Sequence, residues 1–224
     1  MDIEESDTRH MTSSSPASAV VAGATGLVGR ECVDLLLGEP GCTRIIALVR
    51  RTLHTTLESE RLWIRKVDYE SLDHSADLFR VDAVFCALGT TMHDAGTEEA
   101  FRRVDFDYAL HVARLGLEGG ARHFLLVSAL GADPHSRVFY NRVKGELEHA
   151  VGELGYRSVT IVRPSLLVGE RPGPRRFERL AGRLAFLSPR RIRPVEASRV
   201  AAALVSASVE DAPGQRIIEN RDIP

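Results

Sequence analysis

The sequence predicts a single α/β domain built on a parallel sheet, and three observations carry that prediction. From residue 17 onward, short and almost continuously apolar runs alternate with longer amphipathic stretches. Strands buried on both faces read this way, and strand–helix alternation specifies parallel pairing with helices on both faces. A glycine-rich turn separates the first apolar run from the first helical stretch. The chain of 224 residues, 44% hydrophobic and 27% charged, suffices for one such core and contains no repeat or linker that would divide it. The expected organisation is a disordered extension over residues 1–16 and one domain over 17–224, with small substrate-side elements at its C-terminal end.

The elements follow in order. Strands are expected at 19–22, 44–49, 62–67, 83–88, 123–127 and 159–162, with a last one near 216–219, each rich in Val, Ile, Leu or Phe. Helices are expected at about 27–37, 97–118, 137–155, 175–187 and 196–209. The stretch 51–61 has no strong helical pattern, so a poor or short connection should join the second and third strands. Trp63, in the third strand, is expected in the core. Cys32, Cys42 and Cys86 lack CxxC spacing and read as small buried hydrophobes in a reducing compartment.

Composition narrows the function. A formal net charge of -2 gives no global electrostatic reason to bind nucleic acid or an anionic membrane. No apolar run approaches the ~20 residues of a membrane helix, and the acidic, polar start lacks the basic and apolar regions of a signal peptide. A cytoplasmic protein is expected. The eight histidines show no HxxxH or HExxH spacing, which argues against a metal site. His93 and Asp94 read as a surface loop. The basic clusters at 171–176 and at Arg190, Arg191 and Arg193 read as solvated faces, the first being a candidate contact for an anionic substrate.

The turn Gly23-Ala24-Thr25-Gly26-Leu27-Val28-Gly29 follows a strand and opens a helix carrying Val28, Cys32, Leu35 and Leu36 on one face. Glycines here permit a tight turn, close approach of backbone to a pyrophosphate and close helix–strand packing; the helix N-terminus offers free N–H groups to phosphate. Dinucleotide sites specific for NAD usually place an acid at the end of the second strand, for the ribose 2′-hydroxyl. This strand ends in Arg50-Arg51, which would instead pair with a 2′-phosphate, so NADPH is favoured and NAD remains possible.

Tyr140 and Lys144 stand four residues apart and within roughly 40° of the centre of an apolar helical stripe, Val143, Leu147, Ala150, Val151 and Leu154. A lysine beside an inward face is expected to look into a cleft. Its ammonium would lower the pKa of a neighbouring phenol. Ser128 ends the apolar run 123–127, at the edge where open α/β sheets bind ligands, and its hydroxyl would orient a substrate carbonyl.

Together, GATGLVG (23–29), ALVRR (47–51), KVDYE (66–70), FCALGTT (85–91), RVDFDYALHVARLG (103–116), HFLLVSALGAD (123–133), YNRVKGELE (140–148) and VRPSLLVGER (162–171) resemble a short-chain dehydrogenase/reductase of the extended or atypical branch. The resemblance is strongest to the small Tat-interacting oxidoreductase-like family and its bacterial relatives. It implies a Rossmann-type doubly wound sheet, a phosphate loop of Gly23, Thr25, Gly26, Leu27 and Gly29, and a 2′-phosphate site at Arg50 and Arg51. It implies Asp68 near the adenine, Leu88 and Gly89 lining the ribose, and Arg163-Pro164-Ser165 flanking the nicotinamide. Ser128, Tyr140 and Lys144 would form the catalytic set, with Lys144 also holding the nicotinamide ribose. No counterpart is found for the helix asparagine that supports proton relay in many such enzymes, and the C-terminal region is too brief for a large sugar-nucleotide domain. The expected function is NADPH-dependent reduction of a small carbonyl. An NADPH-sensing regulator with a protein partner and an NAD-dependent epimerase or dehydratase are the alternatives. A homodimer through 97–118 and 137–155 is also possible.

Overall fold

The computed structural model describes residues 15–51, 59–169 and 192–224. Seven strands form one sheet: β1 (Ser18–Ala22), β2 (Arg44–Val49), β3 (Leu62–Lys66), β4 (Ala83–Cys86), β5 (His123–Val127), β6 (Ser158–Arg163) and, after the short β7 (Leu167–Val168) and β8 (Val195–Glu196), β9 (Gly214–Glu219). Their order is β3-β2-β1-β4-β5-β6-β9 and every pairing is parallel. The chain builds outward from β1 to β3 and then returns to β4 on the other side of β1. This reversal opens a crevice at the carboxyl ends of β1 and β4, the place where doubly wound sheets take ligands.

The two faces of the sheet explain the continuous hydrophobicity of its central strands. Val21, Ile45, Phe85 and Leu125 point to one face, where α1 (Leu27–Gly38) and the late helix Ala197–Glu210 supply Leu36 and Leu204. Val20, Ile46, Val84, Phe124 and Leu126 point to the other, covered by the 3-10 segment Tyr69–Phe79 and two later helices. Before those two come the short α2 (Met92–Ala95) and α3 (Glu98–Arg102); a π-helical turn, Arg103–Tyr108, joins α3 to α4 (Ala109–Glu118), and α5 (Phe139–Gly152) precedes β6. The helix Ala197–Glu210 is α6. All three cysteines are buried and unpaired.

Three sequence expectations change. The third strand is the edge of the sheet and is only partly covered, so Trp63 is 41% exposed rather than core. Its ring instead lies under the guanidinium groups of Arg44 and Arg65, at 5.9 and 5.2 Å from the ring centroid. The helix expected at 97–118 is α3 and α4 with the π turn between them. The fourth strand stops at Cys86, because residues 87–89 turn to meet the glycine loop. The expected helix at 175–187, the basic cluster at 171–176, Arg190 and Arg191 lie outside the described residues. Among the described residues no helix is long and apolar enough to cross a membrane.

Candidate dinucleotide and proton-transfer site

The crevice floor is backbone packed on backbone. Gly23 adopts φ +81°, and a Cβ there would stand 2.5 Å from the Ala87 carbonyl oxygen, so only glycine admits this approach between the loops after β1 and β4. A Cβ on Gly29 would lie 2.2 Å from the Gly23 oxygen, which explains how the first turn of α1 packs onto the loop before it. The Gly26 N–H donates to the Gly23 oxygen at 2.9 Å and closes the turn. Gly26 caps α1 without a side-chain hydrogen bond, and the first turn of α1 contains no acidic residue. The N–H groups and positive dipole end of a 12-residue helix therefore face the crevice with nothing anionic beside them in that turn. Thr25 is exposed at the mouth and Leu27 is buried beneath it.

To one side lies a hollow of about 440 Å³ lined by Arg50, Lys66, Val67, Asp68, Tyr69 and Tyr108. The Tyr69 and Tyr108 rings stack at 5.5 Å between centroids. Arg50 is brought to this hollow, whereas Arg51 is exposed and does not line it. Asp68 borders it, but its carboxylate accepts from the Glu70 N–H at 3.1 Å and the Ser71 hydroxyl at 3.2 Å. Lys66, the second cation here, was missed; its position at the end of a strand parallel to β2, in register with Val49, could have signalled it.

The helix α5 brings Tyr140 and Lys144 together, but not as the helical stripe suggested. Lys144 is only 3% exposed, so it does not stand open in a cleft. Its ammonium pairs at 2.7 Å with Asp105, itself 1% exposed, in the π turn after α3. The second Asp105 oxygen accepts the Thr90 N–H at 2.8 Å. A Cβ on Gly89 would lie 3.4 Å from Asp105 and 3.8 Å from Lys144, so the bare Gly89 backbone covers the ion pair. Leu88, beside it, is half-buried. Tyr140 is half-buried, with its ring 5.3 Å from that of Phe101. Burial pulls the Lys144 pKa down, but the charges of Asp105 and Tyr140 and the hydrogen bond to Asp105 outweigh it and leave it above the ordinary lysine value. Burial raises the Tyr140 hydroxyl; Lys144 opposes this and Asp105 adds to it, so the net direction is up, the reverse of the expected lowering.

Ser128 follows β5 at the expected edge, with its N–H bonded to the Val162 oxygen at 2.8 Å. Its hydroxyl, however, donates to the buried Glu148 of α5. Glu148 is held by the Arg163 guanidinium on both oxygens, and Arg163 also reaches Glu219 at 2.9 Å. Arg163 is therefore engaged between two carboxylates beneath the edge, while Pro164 is buried and Ser165 donates its N–H to Asn220. Glu148 and Asp105 both escaped the sequence reading. A buried acid requires a cation, and Asp105 falls on the stripe Phe101, Ala109, Val112, which was the available signal. His93, in contrast, is on the surface as expected, its side chain 92% exposed.

Residues 23–210 match the family model described as NAD(P)H-binding. The chain belongs to that family. Among its relatives, protein HTATIP2 of Rattus norvegicus is 39% identical over 168 residues, which are 73% of this chain and 68% of that protein. The FMP52 protein of Candida albicans, named mitochondrial, is 33% identical over 159 residues, 69% of each chain. Solved structures agree on the fold: MoeE5 in complex with UDP-glucose and NAD has a TM-score of 0.69 at 17% identity, covering 90% of this chain and 75% of that one. The Bordetella bronchiseptica enzyme WbmH in complex with NAD+ has a TM-score of 0.70 at 14% identity, with the same coverage. These findings make the chain a Rossmann-type NAD(P)H-binding protein related to HTATIP2 and FMP52, with a nicotinamide dinucleotide as its family ligand. The residues present fit such a ligand: a glycine-floored crevice, an open helix N-terminus, and a cationic hollow beside it. In addition the buried Tyr69, which borders the hollow, sets its hydroxyl against the Gly23 backbone and so joins the hollow to the glycine turn.

Proposed function

We propose that this protein is an NADPH-dependent reductase of a small carbonyl compound. The observation that carries the proposal is the juxtaposition of Tyr140, Lys144 and Asp105 with Gly89, on the loop that meets the glycine turn. Gly23, Thr25, Gly26, Leu27 and Gly29 would seat the pyrophosphate, with Arg50 and Lys66 at the 2′-phosphate end and Arg51 outside the hollow. Asp68, Leu88 and Gly89 would border the adenosine, and Arg163 and Pro164 would support the nicotinamide side from below. When bound, NADPH supplies a hydride to the carbonyl carbon. Tyr140 gives its phenolic proton to the carbonyl oxygen as that oxygen gains charge. The products are the alcohol and NADP+, and the tyrosinate recovers its proton from water.

Ser128 acts as the second donor to that oxygen only after its hydroxyl rotates away from Glu148. Breaking a hydrogen bond to a charged group costs about 1.5–3 kcal/mol, and Arg163 remains to hold the carboxylate. Lys144 keeps positive charge beside Tyr140 and contributes to holding the nicotinamide ribose. Arg50 and Lys66 support NADPH over NADH. The setting proposed is the cytoplasm.

The test is NADPH oxidation, followed at 340 nm, against a panel of aldehydes and ketones. Turnover should fall by about 10²–10⁴-fold in Tyr140→Phe, the usual contribution of a positioned acid. Equal turnover in wild type and Tyr140→Phe would eliminate this mechanism.

A further inference from the structure

Building on the reductase reading, we propose that Asp105 is the counter-ion that offsets part of the charge of Lys144 and so helps to keep Tyr140 a protonated donor, the form poised for carbonyl reduction. A lysine next to a tyrosine ordinarily drives the phenol toward phenolate, which would suit removal of a proton from an alcohol. Here the ammonium is 2.7 Å from a carboxylate with 1% exposure, so Asp105 opposes part of the pull of Lys144 on Tyr140, and burial adds to it in the same direction.

The arrangement is built rather than incidental. A π turn at Arg103–Tyr108, a feature seen often at functional sites, sets Asp105 inward between the α5 lysine and the loop after β4. Both carboxylate oxygens are used, one on Lys144 and one on the Thr90 N–H. The absence of a side chain at Gly89 leaves only backbone between this pair and the crevice. Asp105 is thus a positioning residue that acts through Lys144.

Among the described residues, the charged and titratable groups acting on Tyr140 are Lys144 and Asp105, and those acting on Lys144 are Asp105, Tyr140 and Cys86. Cys86, on β4, is pushed up to about 11 by burial and so stays a neutral thiol at physiological pH.

The experiment reads tyrosinate absorbance at 295 nm against pH. Of the four tyrosines, Tyr69 and Tyr156 are pushed above the ordinary range by burial and Tyr108 to about 12. Subtracting the Tyr140→Phe curve isolates Tyr140. In wild type its midpoint should lie above the ordinary value near 10. In Asp105→Asn, which keeps an oxygen for Thr90, the midpoint should fall by about one to three pH units. In Lys144→Met it should rise, and this opposite shift tests the same charge arrangement if Asp105→Asn does not fold. A Tyr140 midpoint unmoved in Asp105→Asn, or one that fails to rise in Lys144→Met, would overturn the proposal. The titration needs no substrate, so a protein that oxidises NADPH with no carbonyl would lose the reductase reading while Tyr140 still reported on Asp105. With an active substrate, the alkaline limb of the pH–rate profile should move with the same midpoint.

Discussion

The hollow beside the glycine turn makes a quantitative prediction about cofactor choice. A 2′-phosphate carries about 1.5–2 negative charges near neutrality. Arg50 and Lys66 line the space it would enter, with Asp68 on the same wall but turned into its own hydrogen bonds. At 4 Å and an effective dielectric of about 20, one unit pair is worth about 4 kcal/mol before desolvation. Both cations are exposed, so hydration and salt remove much of that. A net charge-assisted hydrogen bond of about 1.5–2 kcal/mol remains for Arg50, or about 10- to 30-fold in affinity. Lys66, a point charge without the guanidinium fork, should contribute less, about 3- to 10-fold. Calorimetric titration should therefore show NADPH weakened by these factors in Arg50→Ala and Lys66→Ala, with NADH changed by less than about threefold. Raising the salt should weaken NADPH in wild type and have little effect in the double variant. An Arg50→Ala protein that loses NADH and NADPH equally, or a wild type that prefers NADH, would refute the reasoning.

Two further predictions concern buried charge. Arg163→Met leaves Glu148, 4% exposed, without its cation; stability should fall by about 3–5 kcal/mol in urea unfolding, and Arg163→Met with Glu148→Gln should recover much of it. Equal stability of the double and single variants would count against the ion pair as the cause. His123, 3% exposed and bonded to Thr160 at 2.9 Å, is pushed down to about 4 by burial, against the opposing charge of Asp211. It stays neutral in the fold while the unfolded chain takes up a proton below ~6.5, so its contribution is complete above that pH and is lost as pH falls toward 4. The loss is on the order of 2–3 kcal/mol. His123→Gln should flatten the melting-temperature profile over this interval; an unchanged slope would assign the pH dependence elsewhere.

Much of the fold was legible because its central strands are covered on both sides. Val20 and Val21 feed opposite cores, so continuous hydrophobicity marked β1 and its neighbours without ambiguity. The same reading misplaced Trp63, because an edge strand can carry a large ring stabilised by arginines above it rather than by a core. The glycine turn, Arg50, Tyr140 and Lys144 were visible as local patterns. Their settings were not. Asp105 and Lys144 are far apart in sequence and become partners only through the π turn, and Ser128 meets Glu148 only when β5 and α5 pack. A helical stripe read from its apolar members cannot show an acid that belongs to the buried side by virtue of a partner on another element.

The meeting of Gly23 with the Ala87 and Leu88 backbone has a consequence for how such a protein can diversify. A seat made of main chain carries no side-chain identity for substitution to retune; it can only be kept or broken. The rim at positions 50 and 66 consists of two freely exchangeable side chains at the ends of neighbouring strands. On the proposed reading, holding a dinucleotide and choosing between dinucleotides would fall to separate parts, and the second could drift without endangering the first.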